Sequence, residues 1–224
     1  EMIMGLDGYK NIWLFAEHSN AKPIPLYYEI LAKAKSLAKG AENCKLCALV
    51  IGSSISDVVE DVSASGADMV YYIDDENLLN YNCEIYTAVI ESIIKEYNPS
   101  AFLFGATAIG TELAPTVAAR VKTGLAAHCI DMDMDKDGLF TFLVPAFGGK
   151  VAGEILVPNH RPQMATVRSG IFGADKLVKA PDVQAVKLEC PALPDPRITF
   201  MSYTPKEEAA QNLVEADLVI GCGR

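Results

Sequence analysis

A glycine-bounded segment near the middle of the chain has the residue types and the position of a ligand-binding turn. Gly105-Ala-Thr-Ala-Ile-Gly110 follows the apolar run Ala101-Phe-Leu-Phe104 and opens a helical pattern. Backbone N–H groups at the start of a helix can hold an anion or the edge of a flavin. The segment lacks the full dinucleotide-binding fingerprint, and a tight strand-to-helix turn explains it equally well. Both interpretations stay open on this pattern.

A second candidate lies in the strand-like stretch 163–168. Alternation along a strand puts Met164, Thr166 and Arg168 on one face. In an acidic protein, an arginine beside a threonine on a sheet face is suited to a phosphate or an anionic flavin partner. A salt bridge between Arg168 and a neighbouring acid is the other interpretation.

The pair Cys44-Lys-Leu-Cys47 has the spacing of a redox or zinc motif. A redox role requires a helix N-terminus, and a zinc site requires a second Cys or His pair at ligand spacing. The sequence has no second pair, and Cys47 falls inside a predicted strand. The pattern therefore favours structural cysteines.

The aspartate-rich run from Asp131 to Gly138 resembles the first half of a calcium loop. Counted from Asp133, the bidentate acid at the twelfth position is replaced by Val144, so the cage cannot close. Alternation of Asp with Met instead predicts a strand with one solvated face that runs into a turn. The three histidines form no helical pair and no catalytic triad by spacing; they are His18, His128 and His160.

The composition is that of a folded, acidic protein. Of 224 residues, 50% are hydrophobic and 21% are charged, and the formal net charge is −10 at pH 7. These values exclude intrinsic disorder and argue against nucleic acid or an anionic membrane as the main partner. No apolar run approaches the roughly 18 residues of a membrane-spanning helix, so we expect no membrane insertion. The six cysteines form no disulfide framework, so we expect reduced thiols and a cytoplasmic location.

The elements that must position these residues alternate between strands and helices. Strands that are apolar on both faces, with crossover helices between them, predict an α/β fold: a three-layer, mostly parallel, Rossmann-like sheet. Pro115 is expected near the first turn of its helix, where a missing N–H costs little. The predicted strands are 11–16, 46–51, 69–73 and 101–104, and the predicted helices are 26–39, 57–64, 86–97 and 110–122.

From residue 126 onwards the helical period disappears. Strand-like stretches separated by Gly and Pro predict antiparallel strands added to the same sheet. Two more strand-like pieces in a proline-rich region are expected to close the fold and run into a linker. The first group is 127–134, 139–146, 150–157 and 163–168, and the second is 183–189 and 197–203.

The end of the chain has the pattern of a new domain. A helical composition at 207–215 is followed by the strand pattern 217–220 and by Gly221-Cys-Gly-Arg224. A strand followed by Gly-x-Gly normally opens a nucleotide-binding unit, and a lone short strand cannot bury its faces. We therefore expect the front part of a longer protein, with one domain at 1–204 and, at 205–224, a linker and the first strand of a second domain.

Several long motifs in a fixed order resemble the alpha subunit of electron transfer flavoproteins. The resemblance runs from Ile12 to Arg224 and is strongest in five segments, the first of which begins at Gly105. These segments are Gly105-Ala-Thr107, Glu112-Leu-Ala-Pro-Thr-Val-Ala-Ala-Arg120, Thr123-Gly-Leu-Ala-Ala-His-Cys129, Pro145-Ala-Phe-Gly-Gly149 and His160-Arg-Pro-Gln-Met-Ala-Thr-Val-Arg168.

The resemblance implies a first domain with a parallel sheet and a second domain that holds FAD. The second domain of the family opens with a strand and a glycine-rich turn whose arginine contacts FAD. Arg224 occupies that place here, with Cys222 where the family usually has glycine. Because most FAD ligands of the family lie beyond this turn, we expect FAD binding by this chain to be weak or absent.

The resemblance also implies a beta subunit docked against the first domain. That subunit holds AMP or, in electron-bifurcating members, a second FAD near the interface, and Thr107 and Arg168 are the candidates to lie near it. The motif around Arg168 is similar to that of the bifurcating group. Thr111 and Val144 stand where the family often has arginine, which makes the region less favourable for an anion.

The expected function is that of an electron-carrier subunit without turnover of its own, in which flavin supplies the chemistry and the protein supplies position and electrostatics. Its expected partners are the beta subunit and flavin dehydrogenases, with a homodimer of the isolated chain as a further assembly. Two alternatives remain: a stand-alone nucleotide-binding regulatory module that uses the turn at 105–110, and an interaction domain that has lost its flavin role.

Overall fold

The computed structural model describes residues 8–39, 44–173, 183–202, 204, 218 and 220–223. Within these ranges the helices are α1 (Pro25–Ala38), α2 (Ser56–Ser63), α3 (Cys83–Tyr97) and α4 (Ala108–Val121). The strands are β1 (Lys10–Phe15), β2 (His18–Ser19), β3 (Lys22–Pro23), β4 (Leu46–Gly52), β5 (Met69–Asp74), β6 (Pro99–Gly105), β7 (Leu125–Cys129), β8 (Asp131–Met134), β9 (Phe140–Ala146), β10 (Val151–Leu156), β11 (Gln163–Val167) and β12 (Ala185–Lys187).

Seven strands form the main sheet, in the order β12-β5-β4-β1-β6-β11-β7, and each neighbouring pair is parallel. β1 is central, with Trp13 opposite Cys47 of β4 and Phe102 of β6. Helices α1 and α2 cover one face of the sheet, and α3 and α4 cover the other. The predicted three-layer α/β fold is therefore confirmed.

Local sequence determines where the helices begin and end. The Asn82 side chain accepts hydrogen bonds from the N–H groups of Glu84 and Ile85, so α3 begins at Cys83, three residues before the predicted start. Asn98 ends α3 in the left-handed conformation.

No helix in the described part of the chain is long and apolar enough to cross a lipid bilayer.

The expectation of antiparallel strands added to the same sheet is only partly correct. β8, β9 and β10 are antiparallel, but they form a separate three-stranded sheet. β7 and β11 are instead parallel members of the main sheet, with β11 inserted between β6 and β7. All residues of Gln163–Val167 are buried, as expected for a parallel strand covered on both faces.

Two further expectations are wrong. Pro115 lies two turns inside α4, where its missing N–H removes a hydrogen bond to the carbonyl of Thr111, instead of near the first turn. Residues 197–202, part of the predicted strand 197–203, form no strand. The Arg197 guanidinium instead pairs with the Glu84 carboxylate on α3. The helix predicted at 207–215 lies outside the described residues.

The strand order creates a crevice at the carboxyl ends of β1 and β6. The connection from β1 through α1 leads to β4 on one side, whereas the chain that leaves β6 through α4 leads to β7 on the other side. These two connections run over opposite faces of the sheet. In open α/β sheets, ligands bind where neighbouring connections diverge in this way.

Candidate functional site

Thr107 and Glu17 meet in the crevice between β1 and β6. Glu17 follows the end of β1, and Thr107 caps the N-terminus of α4. The Thr107 hydroxyl donates a hydrogen bond to Glu17 Oε2 at 2.6 Å and accepts one from the Gly110 N–H at 2.9 Å. Both the donor and an acceptor position of this hydroxyl are therefore occupied by protein groups.

The Glu17 carboxyl lies beside Thr107 in this crevice. Burial raises its pKa above the ordinary value, and the hydrogen bond from Thr107 partly offsets that rise. A carboxylate at this position opposes a phosphate or an anionic flavin by like charge. The residues around Thr107 thus do not fit an anionic group, although the topology places a crevice there.

Close packing explains the two glycines that bound the turn. A Cβ on Gly110 would lie 1.9 Å from the carbonyl oxygen of Gly105, and a Cβ on Gly105 would lie 2.7 Å from Leu26 Cδ2. Both distances are below any ordinary van der Waals contact. The tight strand-to-helix turn, one of the two interpretations of this motif, therefore accounts for the glycines without a ligand.

Arg168 lies at the same edge of the sheet as Thr107. The Ala106 N–H bonds to the Val167 carbonyl at 2.7 Å, so the segments that follow β6 and β11 run side by side. The Arg168 N–H bonds to the Cys129 carbonyl at 3.0 Å, and its side chain is exposed. Within the described ranges its guanidinium forms no ion pair or hydrogen bond, so the alternative of a local salt bridge is not realised there.

Glu29 is a positioning residue that sequence reasoning missed. It lies on α1, is only 8% exposed, and accepts hydrogen bonds from the Gly170 N–H at 2.9 and 3.1 Å. These bonds anchor the turn that follows Arg168, where Gly170 has a φ of 74°. The sequence feature that could have revealed this role is an acidic residue at position 29, next to the apolar residues of the predicted helix 26–39.

Thr166 holds a bulge in the neighbouring strand. Its hydroxyl accepts a hydrogen bond from the His128 N–H at 2.8 Å, and His128 has a φ of 58°. The register between β7 and β11 shifts at this point. Thr166 therefore serves the backbone of β7 instead of facing a ligand together with Arg168.

The cysteine pair is built into the fold. Cys47 is fully buried in β4, and burial raises the pKa of its thiol to about 12. Burial also raises the pKa of Cys44. Raised thiol pKa values oppose the thiolate that redox or zinc chemistry requires. No cluster of three or more His, Cys, Asp or Glu side chains suited to a metal occurs in the part of the chain that the structure describes.

The hairpin formed by β9 and β10 carries an exposed apolar surface, here called the hairpin surface: Phe147, Val151 and Ile155. Phe147 at the tip is 83% exposed, and Val151 is 55% exposed. Phe147 also has a φ of 51°, which is unfavourable for a side chain of this size. Nothing in the packing of the described residues explains this exposed aromatic ring.

The last predicted site residue, Arg224, lies outside the described residues. Of the strand pattern 217–220, Leu218 and Ile220 are described; both are exposed, and neither lies in a strand.

Comparison with known proteins identifies a family. The model of the family described as "Electron transfer flavoprotein domain" matches residues 12–192. The chain is 37% identical to the electron transfer flavoprotein subunit alpha of Thermoanaerobacterium thermosaccharolyticum, over 98% of this chain and 66% of that protein. It is 33% identical to Protein FixB of Clostridium saccharobutylicum, over 99% of this chain and 66% of that protein.

A third relative bears a different name. The chain is 34% identical to the lactate dehydrogenase (NAD(+),ferredoxin) subunit LctC of Acetobacterium woodii, over 96% of this chain and 51% of that protein. The chain thus spans between half and just under two thirds of the length of these three relatives.

Proposed function

Because this chain belongs to the electron transfer flavoprotein family, we propose that it forms the first domain of an alpha subunit and serves as the docking platform for a beta subunit. The assembled heterodimer passes electrons from flavin dehydrogenases to an acceptor through FAD, and the flavin supplies the redox chemistry. The domain has no turnover of its own. Its contribution is to hold the subunits in position.

The observation that carries this proposal is the hairpin surface. Monomeric proteins rarely leave large contiguous apolar patches in water, and patches of this kind mark interaction sites. Phe147, Val151 and Ile155 are exposed along one hairpin, and the aromatic residue at its tip stands in an unfavourable backbone conformation. Burial of Phe147 and Val151 by a partner subunit removes this apolar area from water, which favours association.

We propose that FAD binds mainly to a second domain that begins within 205–224. Arg224 is its proposed contact from this chain. Arg168 is our candidate to lie near AMP or a second FAD of the beta subunit, because its guanidinium is exposed beside the crevice. Thr107 is proposed to lie near the same nucleotide, because the segments that follow β6 and β11 run side by side. It is not proposed to hold the phosphate, because its hydroxyl is bonded to the Glu17 carboxyl.

The test is binding to a beta subunit encoded by the same organism. We expect Phe147→Asp combined with Val151→Asp to weaken the complex by about tenfold or more, because two charges would have to be desolvated at the interface. Leu79→Asp is the matched control, since Leu79 is 67% exposed. It follows β5, which lies near the β12 edge of the main sheet, whereas the hairpin lies near the β7 edge. Equal affinities for wild type, the double variant and the control would contradict the proposal.

A fluorescence titration of the isolated chain with FAD tests the cofactor assignment. We expect no submicromolar affinity, because too few contacts remain to offset the cost of association. Tight binding without a partner would contradict this assignment. AMP or ATP bound to the isolated chain would instead support the stand-alone nucleotide module, which the Glu17 carboxylate beside Thr107 disfavours. A beta-subunit complex without a flavin spectrum would support the interaction domain that has lost its flavin role.

A further inference from the structure

Three aromatic side chains on one face of the main sheet are in mutual contact, and they are here called the aromatic triad: Trp13, Tyr71 and Tyr97. Trp13 lies in β1, is 1% exposed, and is the only tryptophan of the chain. Its ring stacks on that of Tyr71 at a centroid distance of 4.8 Å and an interplanar angle of 14°. The Tyr97 ring, at the end of α3, lies 5.1 Å from each of the other two. These are the distances of interacting aromatic rings.

The indole N–H of Trp13 is buried and has no hydrogen-bond partner among the residues that the structure describes. An unpaired buried N–H costs free energy, and a redox role is one of the reasons for which proteins keep such a group. One-electron oxidation makes the indole N–H strongly acidic. Because no described acceptor lies beside it, oxidised Trp13 keeps its proton as a radical cation, which is a stronger oxidant than the neutral radical.

The two tyrosines of the triad differ in what surrounds the hydroxyl group. A tyrosine gives up its hydroxyl proton when it loses an electron, so a nearby base favours its oxidation. The Tyr71 hydroxyl donates to the thioether of Met69 at 3.6 Å, and a thioether is a very weak base. Tyr97 is half-buried; burial raises the pKa of its hydroxyl, and the neighbouring Glu96 carboxylate raises that pKa further. Tyr97 is therefore the tyrosine with a proton acceptor beside it.

The surroundings of Trp13 include a group that oxidation would damage. Cys47 stands opposite Trp13 in the register of β1 and β4 and is fully buried. Oxidation of a thiol to a sulfonic acid is irreversible, and it would bury a charge inside the sheet. Phe102, whose ring lies 6.3 Å from that of Trp13, is much harder to oxidise than tyrosine. Transfer to tyrosine is therefore the favoured way to remove an oxidising equivalent from this part of the core.

We propose that the aromatic triad carries a one-electron oxidising equivalent from the core to the surface at Tyr97. The oxidant is a hydroxyl radical, which takes one electron from Trp13 and becomes hydroxide. The Trp13 radical cation takes one electron from Tyr97 and returns to neutral tryptophan, while the Tyr97 hydroxyl proton passes to the Glu96 carboxylate. A soluble thiol then donates a hydrogen atom to the neutral Tyr97 radical and restores the tyrosine.

This protective role goes beyond the proposed function and rests on it only for the source of the oxidant. Hydroxyl radicals arise from the hydrogen peroxide that reduced flavins release in the presence of dioxygen and iron. The electron transfer between Trp13 and Tyr97 needs no flavin and no beta subunit, so the chain by itself is sufficient for the tests.

Laser photoionisation tests the transfer directly. Because Trp13 is the only tryptophan, light at the long-wavelength edge of the indole absorption ionises it selectively, and dissolved dioxygen takes up the ejected electron. We expect the absorption of the tryptophan radical to decay while that of a tyrosine radical rises. Tyr97→Phe should abolish this rise, whereas Tyr71→Phe, the matched control within the triad, should retain it. Both substitutions keep the aromatic ring, and circular dichroism establishes that both variants fold.

Two results of this experiment would overturn the assignment. One is a Trp13 radical that decays in the wild type without any tyrosine radical. The other is a tyrosine radical that still forms in Tyr97→Phe but is lost in Tyr71→Phe. Glu96→Gln keeps the tyrosine and removes the base, so we expect a slower rise of the tyrosine radical. An unchanged rate would show that the carboxylate is not the proton acceptor.

Oxidation products give an independent measurement of protection. The chain is exposed to hydroxyl radicals from hydrogen peroxide and iron, and its peptides are analysed by mass spectrometry. We expect a larger oxidised fraction at Trp13 and Cys47 in Tyr97→Phe than in the wild type, and no increase in Tyr71→Phe. Equal oxidation of Trp13 in all three proteins would overturn the protective role. That failure would leave the docking function intact, since docking is tested separately by binding of the beta subunit.

Discussion

β4 and β10 are both mostly apolar strands, yet β4 is buried and β10 is mostly exposed. β4 has the sequence LCALVIG, and all seven of its residues are buried. β10 has the sequence VAGEIL, and every residue except the half-buried Gly153 is exposed. β4 lies inside a parallel sheet with helices on both faces, whereas β10 is the edge of a small sheet. Hydrophobic composition thus marks a strand, but position in the sheet decides whether it stabilises the fold or remains available to a partner.

The largest expected difference between the two sheets is in stability. Phe102 of the main sheet is fully buried, and we expect Phe102→Ala to lower the free energy of unfolding by about 3–5 kcal/mol through lost burial and a residual cavity. Phe147 is 83% exposed, and Phe147→Ala should change the free energy of unfolding by less than about 0.5 kcal/mol. Urea unfolding of both variants measures these values. Comparable losses would mean that the hairpin surface is part of the core.

Gly110 and Gly153 allow the same comparison of stability between the main sheet and the small sheet, with a smaller expected effect. Gly110→Ala places a Cβ against the carbonyl of Gly105, and we expect it to cost about 1–3 kcal/mol because α4 must move away from β6. Gly153→Ala in β10 is the control, since the nearest atom to a new Cβ there is 4.0 Å away. Urea unfolding should show little or no loss for Gly153→Ala. A smaller loss for Gly110→Ala than for Gly153→Ala would refute this account of the turn.

The smallest expected effect concerns the pH dependence of stability. Burial raises the pKa of Glu17 in the folded protein, so the folded state binds this proton more tightly than the unfolded state. The contribution of Glu17 is therefore fully present below its unfolded pKa and is lost as the pH rises through its folded pKa. Glu17→Gln should make the fall in stability over this window less steep.

Urea midpoints between about pH 4 and about pH 7, which bracket the ordinary carboxyl pKa, measure this slope. Glu154→Gln, on the exposed strand β10, removes the same charge from the small sheet and is the control. A larger change of slope from Glu154→Gln than from Glu17→Gln would break the comparison between the two sheets.

Much of the fold could be predicted from short-range patterns. The helix at 57–64 and the strands at 46–51 and 69–73 are confirmed within a residue or two, because caps, glycines and apolar runs act over a few residues. The insertion of β11 between β6 and β7 could not be predicted, since it depends on a return of the chain over many residues. The same holds for the separate sheet of β8, β9 and β10.

The site shows the same division. The turn at Gly105 and its cap Thr107 are visible in the sequence, and so is the arginine at 168. That Thr107 is bonded to Glu17, 90 residues away in the chain, is visible only in the folded structure. Glu29 is a similar case, because its partner Gly170 lies 141 residues away.

By itself, the sequence determined the α/β class, the alternation of strands and helices, and the resemblance to electron transfer flavoproteins, because these depend on residue periodicity and on motifs whose order does not change on folding. The tertiary structure alone decided that a carboxylate occupies the crevice at Thr107 and that β10 is left at an open edge. Both outcomes depend on strand order, and strand order is set by the packing of helices and sheets across the whole domain instead of by neighbouring residues.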